Sequence, residues 1–281
     1  MLNEPTSIGV IGLCGILCMT GCHRDGEKPT PTTQPSGNAS PPTRRSAAPE
    51  SNVPELEVRR LLQGTRITID GKLDEPAWQQ AAATGEFVNV GNGAAVADPN
   101  LGGNALLSWN ERYLFIGVTI RDTDIRGDFA TDARDPHLWT ESAAEIMIDP
   151  DGDGDNLDYY EIQVGPQNLV FDSQFDNYNQ PRVLPDGPFG HQDWTAGAKT
   201  AVSVRGTLNQ SKDRDEGYTV EAQIPWSSFS KAKTVPPRPG EQWRMNFYAM
   251  RNNGGLAWSP ILGKGNFHKA SRFGRVTWLG A

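Results

Sequence analysis

Residues 105–120 read Ala105-Leu106-Leu107-Ser108-Trp109-Asn110-Glu111-Arg112-Tyr113-Leu114-Phe115-Ile116-Gly117-Val118-Thr119-Ile120. Two apolar runs of strand length flank the polar residues Asn110-Glu111-Arg112. The pattern is that of a β-hairpin, with Trp109 and Tyr113 on either side of the turn. The same texture recurs along the chain. Residues 66–69, 144–148, 160–164, 169–173, 199–204, 218–223, 245–250 and 275–279 also read as short strands, separated by clusters of Gly, Asn, Asp and Pro. Helical periodicity is nearly absent, so the expected fold class is all-β, an antiparallel β-sandwich. A single domain is expected over residues 54–281.

The N-terminal residues belong to a different regime. An apolar run from Ile8 to Met19 ends in Met19-Thr20-Gly21-Cys22. It has the length of a signal-peptide core and is too short to span a bilayer as a helix. Small residues directly before a cysteine resemble the lipobox of bacterial lipoproteins. That resemblance implies a signal peptide over residues 1–21, lipidation of Cys22 and anchoring to a membrane in the bacterial cell envelope. The leader departs from the usual form in carrying Glu4 and no Lys or Arg before the apolar run. Residues 22–53 are rich in Pro, Thr and Ser, with too little apolar surface to offset the entropy of ordering them, and read as an extended tether. All three cysteines, Cys14, Cys18 and Cys22, lie in the first 22 residues, so the folded part contains no disulfide.

With 26 Lys and Arg against 34 Asp and Glu, the net charge is -8 and no basic stripe is visible, which argues against a nucleic-acid partner. No GxSxG elbow, HExxH, P-loop or GxGxxG is present to support the chemistries those motifs serve.

The segment Ile67-Thr68-Ile69-Asp70-Gly71-Lys72-Leu73-Asp74-Glu75-Pro76-Ala77-Trp78 contains a tight-turn pair, Asp70-Gly71. It also holds a proline able to open a helical turn and a large apolar residue expected to plug one end of the core. It resembles the opening of the carbohydrate-binding module family 9-like domain. Residues 107–115 (LSWNERYLF), 139–149 (WTESAAEIMID), 217–226 (GYTVEAQIPW), 258–260 (WSP) and 267–274 (FHKASRFG) agree with that family in the same order. The resemblance implies an immunoglobulin-like or jelly-roll-like sandwich that binds polysaccharide or oligosaccharide without catalysis. It implies an association with polysaccharide catabolism, a glycoside hydrolase partner and stabilisation by calcium.

Sugar rings present apolar C–H faces rimmed by hydroxyls, so a site needs flat aromatic surfaces with carboxylate or amide groups between them. By resemblance, Trp139 matches one wall of the family's aromatic clamp and Phe267, with His268 beside it, matches the other. The family's second wall is a Trp. A Phe there has less area and no N–H donor, so specificity does not carry over. Glu145 matches a hydroxyl-binding glutamate, and Gln163 stands where the characterised binder has an arginine. Asn252 offers a further amide. Trp109, Trp226, Trp243 and Trp278 read as packing residues.

Asp122, Asp124 and Asp132 form an acidic group that reads first as a solvated loop, with calcium ligation as the alternative. The run Asp149-Pro150-Asp151-Gly152-Asp153-Gly154-Asp155 begins like an EF-hand loop. Its twelfth position is Tyr160, and Glu161 falls one later, so a solvated acidic turn is the first reading here too.

Three rival functions stay open. Glu145 with Glu161 could act as acid and base in glycoside hydrolysis. A related sandwich family holds haem b for electron transfer, with Met147, Met250 and His268 as the axial candidates here. A protein-interaction scaffold is the third.

Overall fold

The computed structural model describes residues 52–184 and 187–281. The apolar leader, Cys22 and nearly all of the tether lie outside the described residues. Among the described residues no helix is long and apolar enough to cross a membrane.

Strands dominate. In chain order they are β1 (Glu55–Arg59), β2 (Ala82–Ala83), β3 (Val88–Asn89), β4 (Gly102–Trp109), β5 (Tyr113–Arg121), β6 (Ser142–Asp149) and β7 (Leu157–Val164). They continue as β8 (Val170–Asn177), β9 (Lys199–Arg205), β10 (Gly217–Pro225), β11 (Gln242–Arg251), β12 (Gly254–Ala257) and β13 (Gly274–Leu279). Among the described residues helical structure is confined to single 3₁₀ turns such as Trp78–Gln80 and Leu138–Thr140.

Two sheets face each other. The first runs β1-β13-β11-β6-β7-β8, with β12 pairing β11 and β3 at its side. The second runs β2-β4-β5-β10-β9. The β4–β5 hairpin pairs Trp109 with Leu114, as the turn chemistry at Asn110 requires: the Asn110 side chain accepts the N–H groups of Arg112 and Tyr113 at 2.9 Å each. Among the described residues all the pairings between named strands are antiparallel except one. β1 lies parallel to β13, from Glu55 against Arg275 to Arg59 against Leu279.

Alternating residues of both sheets meet in the main core. Ile146, Ile148, Tyr160, Ile162 and Phe247 come from the first sheet, and Leu107, Ile116, Val118, Tyr218 and Val220 from the second. Trp109, Trp226, Trp243 and Trp278 pack edge to face, with most of the ring centroids 5.4–6.0 Å apart, as expected for packing residues.

Unusually for a sandwich, the outer faces are covered as well. β6 is buried at all eight positions, because a second cluster of Leu138, Met147, Phe171, Tyr248, Met250, Ile261 and Phe273 lies on its far side. A third cluster, built on Ile69, Trp78 and Phe115, covers the outer face of the second sheet.

That third cluster corrects two expectations. Residues 66–69 form no strand; the segment is extended, and Thr68 N–H is taken by the Glu75 side chain at 2.8 Å instead of a neighbouring strand. Trp78 does not plug an end of the inter-sheet core but lies over β5 and β10 from outside. Gly117 of β5, with no side chain, leaves the space that Leu73 fills; a Cβ there would lie 2.5 Å from Leu73 Cδ2.

Candidate functional site

Side chains alternate across a strand, and antiparallel partners point to the same face, so register alone determines which residues meet on the outer face of the first sheet. One row crosses four strands there: Tyr248 of β11 pairs with Glu145 of β6, Glu145 with Gln163 of β7, and Gln163 with Phe171 of β8. Polar residues occupy the middle of the row and aromatic residues its two ends.

On each aromatic end stands a second ring. Phe267 stacks on Tyr248 with centroids 4.7 Å apart and planes at 15°. Trp139 meets Phe171 edge-on at 5.2 Å. Backbone bonds fix both: Phe267 C=O accepts from Tyr248 Oη at 3.1 Å, and Trp139 C=O accepts from Asn253 N at 2.9 Å. Between them lies a cleft of about 530 Å³, lined by Trp139, Phe267, Glu145, Gln163, Glu161 and His268, with Tyr178 and Phe189 along its side.

The floor is polar and buried. Gln163 Nε2 donates to Glu145 Oε2 at 3.0 Å and to Glu161 Oε1 at 2.5 Å. Neither glutamate is more than 4% exposed. Burial raises both carboxyls well out of the ordinary range, Glu161 to about 7, and the charge of Glu161 pushes Glu145 further. Burial lowers His268 to about 3, so its ring is neutral. Tyr159 Oη lies in hydrogen-bond contact with His268 Nδ1 at 2.8 Å, and His268 Nε2 lies 3.6 Å from Glu161 Oε2. Two acceptor atoms of the floor, Glu145 Oε1 and Gln163 Oε1, are buried without a hydrogen-bond partner. Such atoms are costly unless something from the cleft completes them.

Of the residues singled out in the sequence, Trp139, Glu145, Gln163, Phe267 and His268 are brought together here. Asn252 is not. Asn252 and Asn253 occupy the β11–β12 turn with φ of 49° and 58°, and it is Asn253 that lines the cleft. Glu161, considered in the sequence as a catalytic partner of Glu145, is part of the floor. Tyr178 and Phe189 went unnoticed because they lie in a long connection between β8 and β9 where no periodicity marks an inward side. Met147 is fully buried in the second cluster and does not line the cleft, whereas Met250 does.

The acidic group Asp122, Asp124 and Asp132 does not assemble into a cation site. Asp122 is occupied by Arg251 at 3.2 Å and by the Ser142 hydroxyl at 3.2 Å, and Asp132 is exposed. Among the described residues the acidic atoms that do converge belong to Asp149, Asp151 and Asp153, within 4.8 Å of one another. Burial, with Asp151 alongside, pushes Asp149 up to about 8. An oxygen-only donor set holding one strained carboxyl suits a hard cation such as calcium.

A sandwich whose outer face carries a cleft walled by aromatic rings and floored by carboxyl and amide groups has the form of a carbohydrate-binding module. Residues 69–281 match the family model described as carbohydrate family 9 binding domain-like, and the chain belongs to that family. No curated protein matches it. Among solved structures it is similar to a carbohydrate-binding module family 9 from Caldicellulosiruptor kristjanssonii in complex with cellotriose. The identity is 16% over 81% of this chain and 94% of that one, with a TM-score of 0.51. It is also similar to a Bacteroides uniformis ATCC 8492 protein proposed to bind carbohydrate, at 18% identity over 80% of this chain and 99% of that one, with a TM-score of 0.57.

Proposed function

We propose that this chain is a non-catalytic carbohydrate-binding module whose ligand enters the cleft between Trp139 and Phe267. The observation that carries the reading is the row Tyr248-Glu145-Gln163-Phe171, which sets hydrogen-bonding groups between two aromatic supports at the spacing of the β-ladder. A sugar ring stacks its C–H face on the walls and donates hydroxyl hydrogens to Glu145 Oε1 and Gln163 Oε1, the two atoms left without partners. Membership of the family and the cellotriose bound by the Caldicellulosiruptor relative support a poly- or oligosaccharide as the ligand class.

Hydrolysis is a weaker reading. An acid and a base must flank the scissile bond, whereas Glu145 and Glu161 lie side by side on one floor and share the same amide. Haem is disfavoured by that floor too, since two buried carboxyls would face an apolar macrocycle.

The wider setting of the reading comes from the sequence. The chain is held in the bacterial cell envelope by lipid on Cys22, carries its domain on the residue 22–53 tether, and supports polysaccharide breakdown beside a glycoside hydrolase. Calcium at Asp149, Asp151 and Asp153 rigidifies the β6–β7 loop.

The test is intrinsic tryptophan fluorescence of the purified chain titrated with soluble oligosaccharides. A saturable change that Trp139→Ala removes supports the reading. Absence of any change across the panel in folded protein refutes it in favour of a scaffold role.

A further inference from the structure

We propose that the ligand is a cationic sugar, an amino sugar whose protonated amine rests against Glu145 and Glu161. This rests on the carbohydrate reading above and narrows it to a substrate class.

Charge sets this cleft apart. Two carboxyl groups, 3% and 4% exposed, line the cleft, and no Lys or Arg lines it among the described residues. His268 is neutral, and its Nδ1 is already engaged by Tyr159. The Gln163 amide nitrogen donates to both glutamates, and His268 Nε2 lies 3.6 Å from Glu161 Oε2. Glu145 Oε1 is left buried and unpartnered, as is Gln163 Oε1.

A site built for a neutral sugar would be expected to balance a buried carboxylate pair with a basic side chain of its own. Here the compensating charge is missing from the protein, and an ammonium group supplies it together with three hydrogen-bond donors. The walls agree. Trp139, Tyr178 and Phe267 present aromatic faces and edges that attract a cation as readily as they stack on a pyranose ring. Burial raises both carboxyls, with the charge of Glu161 pushing Glu145 further, and an ammonium beside them would favour the ionised form.

The test uses the full chain with EDTA present, so that no divalent cation competes. Calorimetry at pH 6.5 compares the β-1,4-linked glucosamine dimer, its N-acetylated counterpart and cellobiose, which share ring and linkage and differ at C2. The amino sugar is expected to bind about tenfold tighter than either neutral dimer, the worth of one charge-assisted hydrogen bond. The Glu145→Gln, Glu161→Gln double variant is expected to bind the amino sugar no tighter than cellobiose. Should that variant fail to fold, the wild-type chain supplies the second readout. Repeated in buffers of different ionisation enthalpy, the amino sugar is expected to expel about one proton from the pair and cellobiose none. Equal or tighter binding of a neutral dimer, or no proton release, overturns the inference and leaves the carbohydrate reading intact. Failure of all three dimers and of the neutral glycan panel brings down both.

Discussion

The indole N–H of Trp78 donates to Glu221 Oε1 at 2.9 Å, joining residues 143 positions apart in the chain. The other oxygen of the same carboxylate accepts the backbone N–H groups of Asp70 and Gly71 at 2.8 and 2.7 Å. The segment from Ile67 to Trp78 is therefore held in place by one buried side chain of the second sheet. Gly71 is required at its turn, with φ +91° and a Cβ that would lie 2.7 Å from the Val202 carbonyl carbon. Replacing Glu221 by Ala strands three donors, and the expected loss is about 3 kcal/mol or more, measured by urea unfolding. The cleft is on the opposite sheet, so ligand affinity of the folded variant should be unchanged.

Two core tryptophans separate packing from hydrogen bonding. Trp109 Nε1 donates to Val58 C=O at 3.0 Å, whereas Trp278 Nε1 is buried with no partner. Trp109→Phe removes the indole donor that Val58 C=O accepts and should cost about 1 kcal/mol beyond the lost volume. Trp278→Phe removes an unsatisfied donor and should be the milder change in the same unfolding experiment.

The floor carboxyls make stability fall as pH rises. Glu145 and Glu161 are raised above the unfolded value of 4.5, so the native state binds more protons than the unfolded chain between that value and their folded values. Their contribution is fully present below about pH 4.5 and is lost as pH passes through about 7 and above. The urea midpoint should drop between pH 5 and pH 8, and the double Gln variant should flatten much of that drop. The remainder is expected from Asp149, raised to about 8 for the same reason of burial.

Both walls should matter for binding. Trp139→Ala and Phe267→Ala each remove one aromatic face from the cleft, and each is expected to weaken oligosaccharide binding about tenfold or more by calorimetry. Tyr248→Phe keeps the ring under Phe267 but loses the bond to its carbonyl, and a smaller loss is expected.

Calcium at the β6–β7 loop would act through mass action. At a hundredfold excess over its dissociation constant it should add about 2.7 kcal/mol. That gain should disappear with EDTA and in an Asp151→Asn, Asp153→Asn variant. A melting temperature indifferent to calcium would return the loop to a solvated turn.

Strand positions with local signals were legible in the sequence. The Trp109–Tyr113 hairpin could be read because its alternation and its turn lie within one short stretch. β1 could not, because its sequence Glu-Leu-Glu-Val-Arg follows a polar segment and its partner lies 220 residues away. Residues 66–69 alternate like a strand, yet neighbouring backbone groups bond to the carboxylates of Glu75 and Glu221, which no local pattern reveals. At the site, the residues to which the resemblance pointed, Trp139, Glu145, Gln163 and Phe267, all line one cleft, and in the turn after β11 it is Asn253 and not Asn252 that lines it. Asp122 looked like a free acid only because Arg251, its partner, is 129 positions further along the chain.

The parallel pairing of β1 with β13 sets how the domain answers a pull. Residue 55 enters at one end of the ladder and residue 279 leaves at the other, so tension between them slides the two strands lengthwise. The slanted, evenly spaced bonds of that ladder would then be strained together, not opened one after another. A module stretched from its first strand to its last should hold by shear and give way at once.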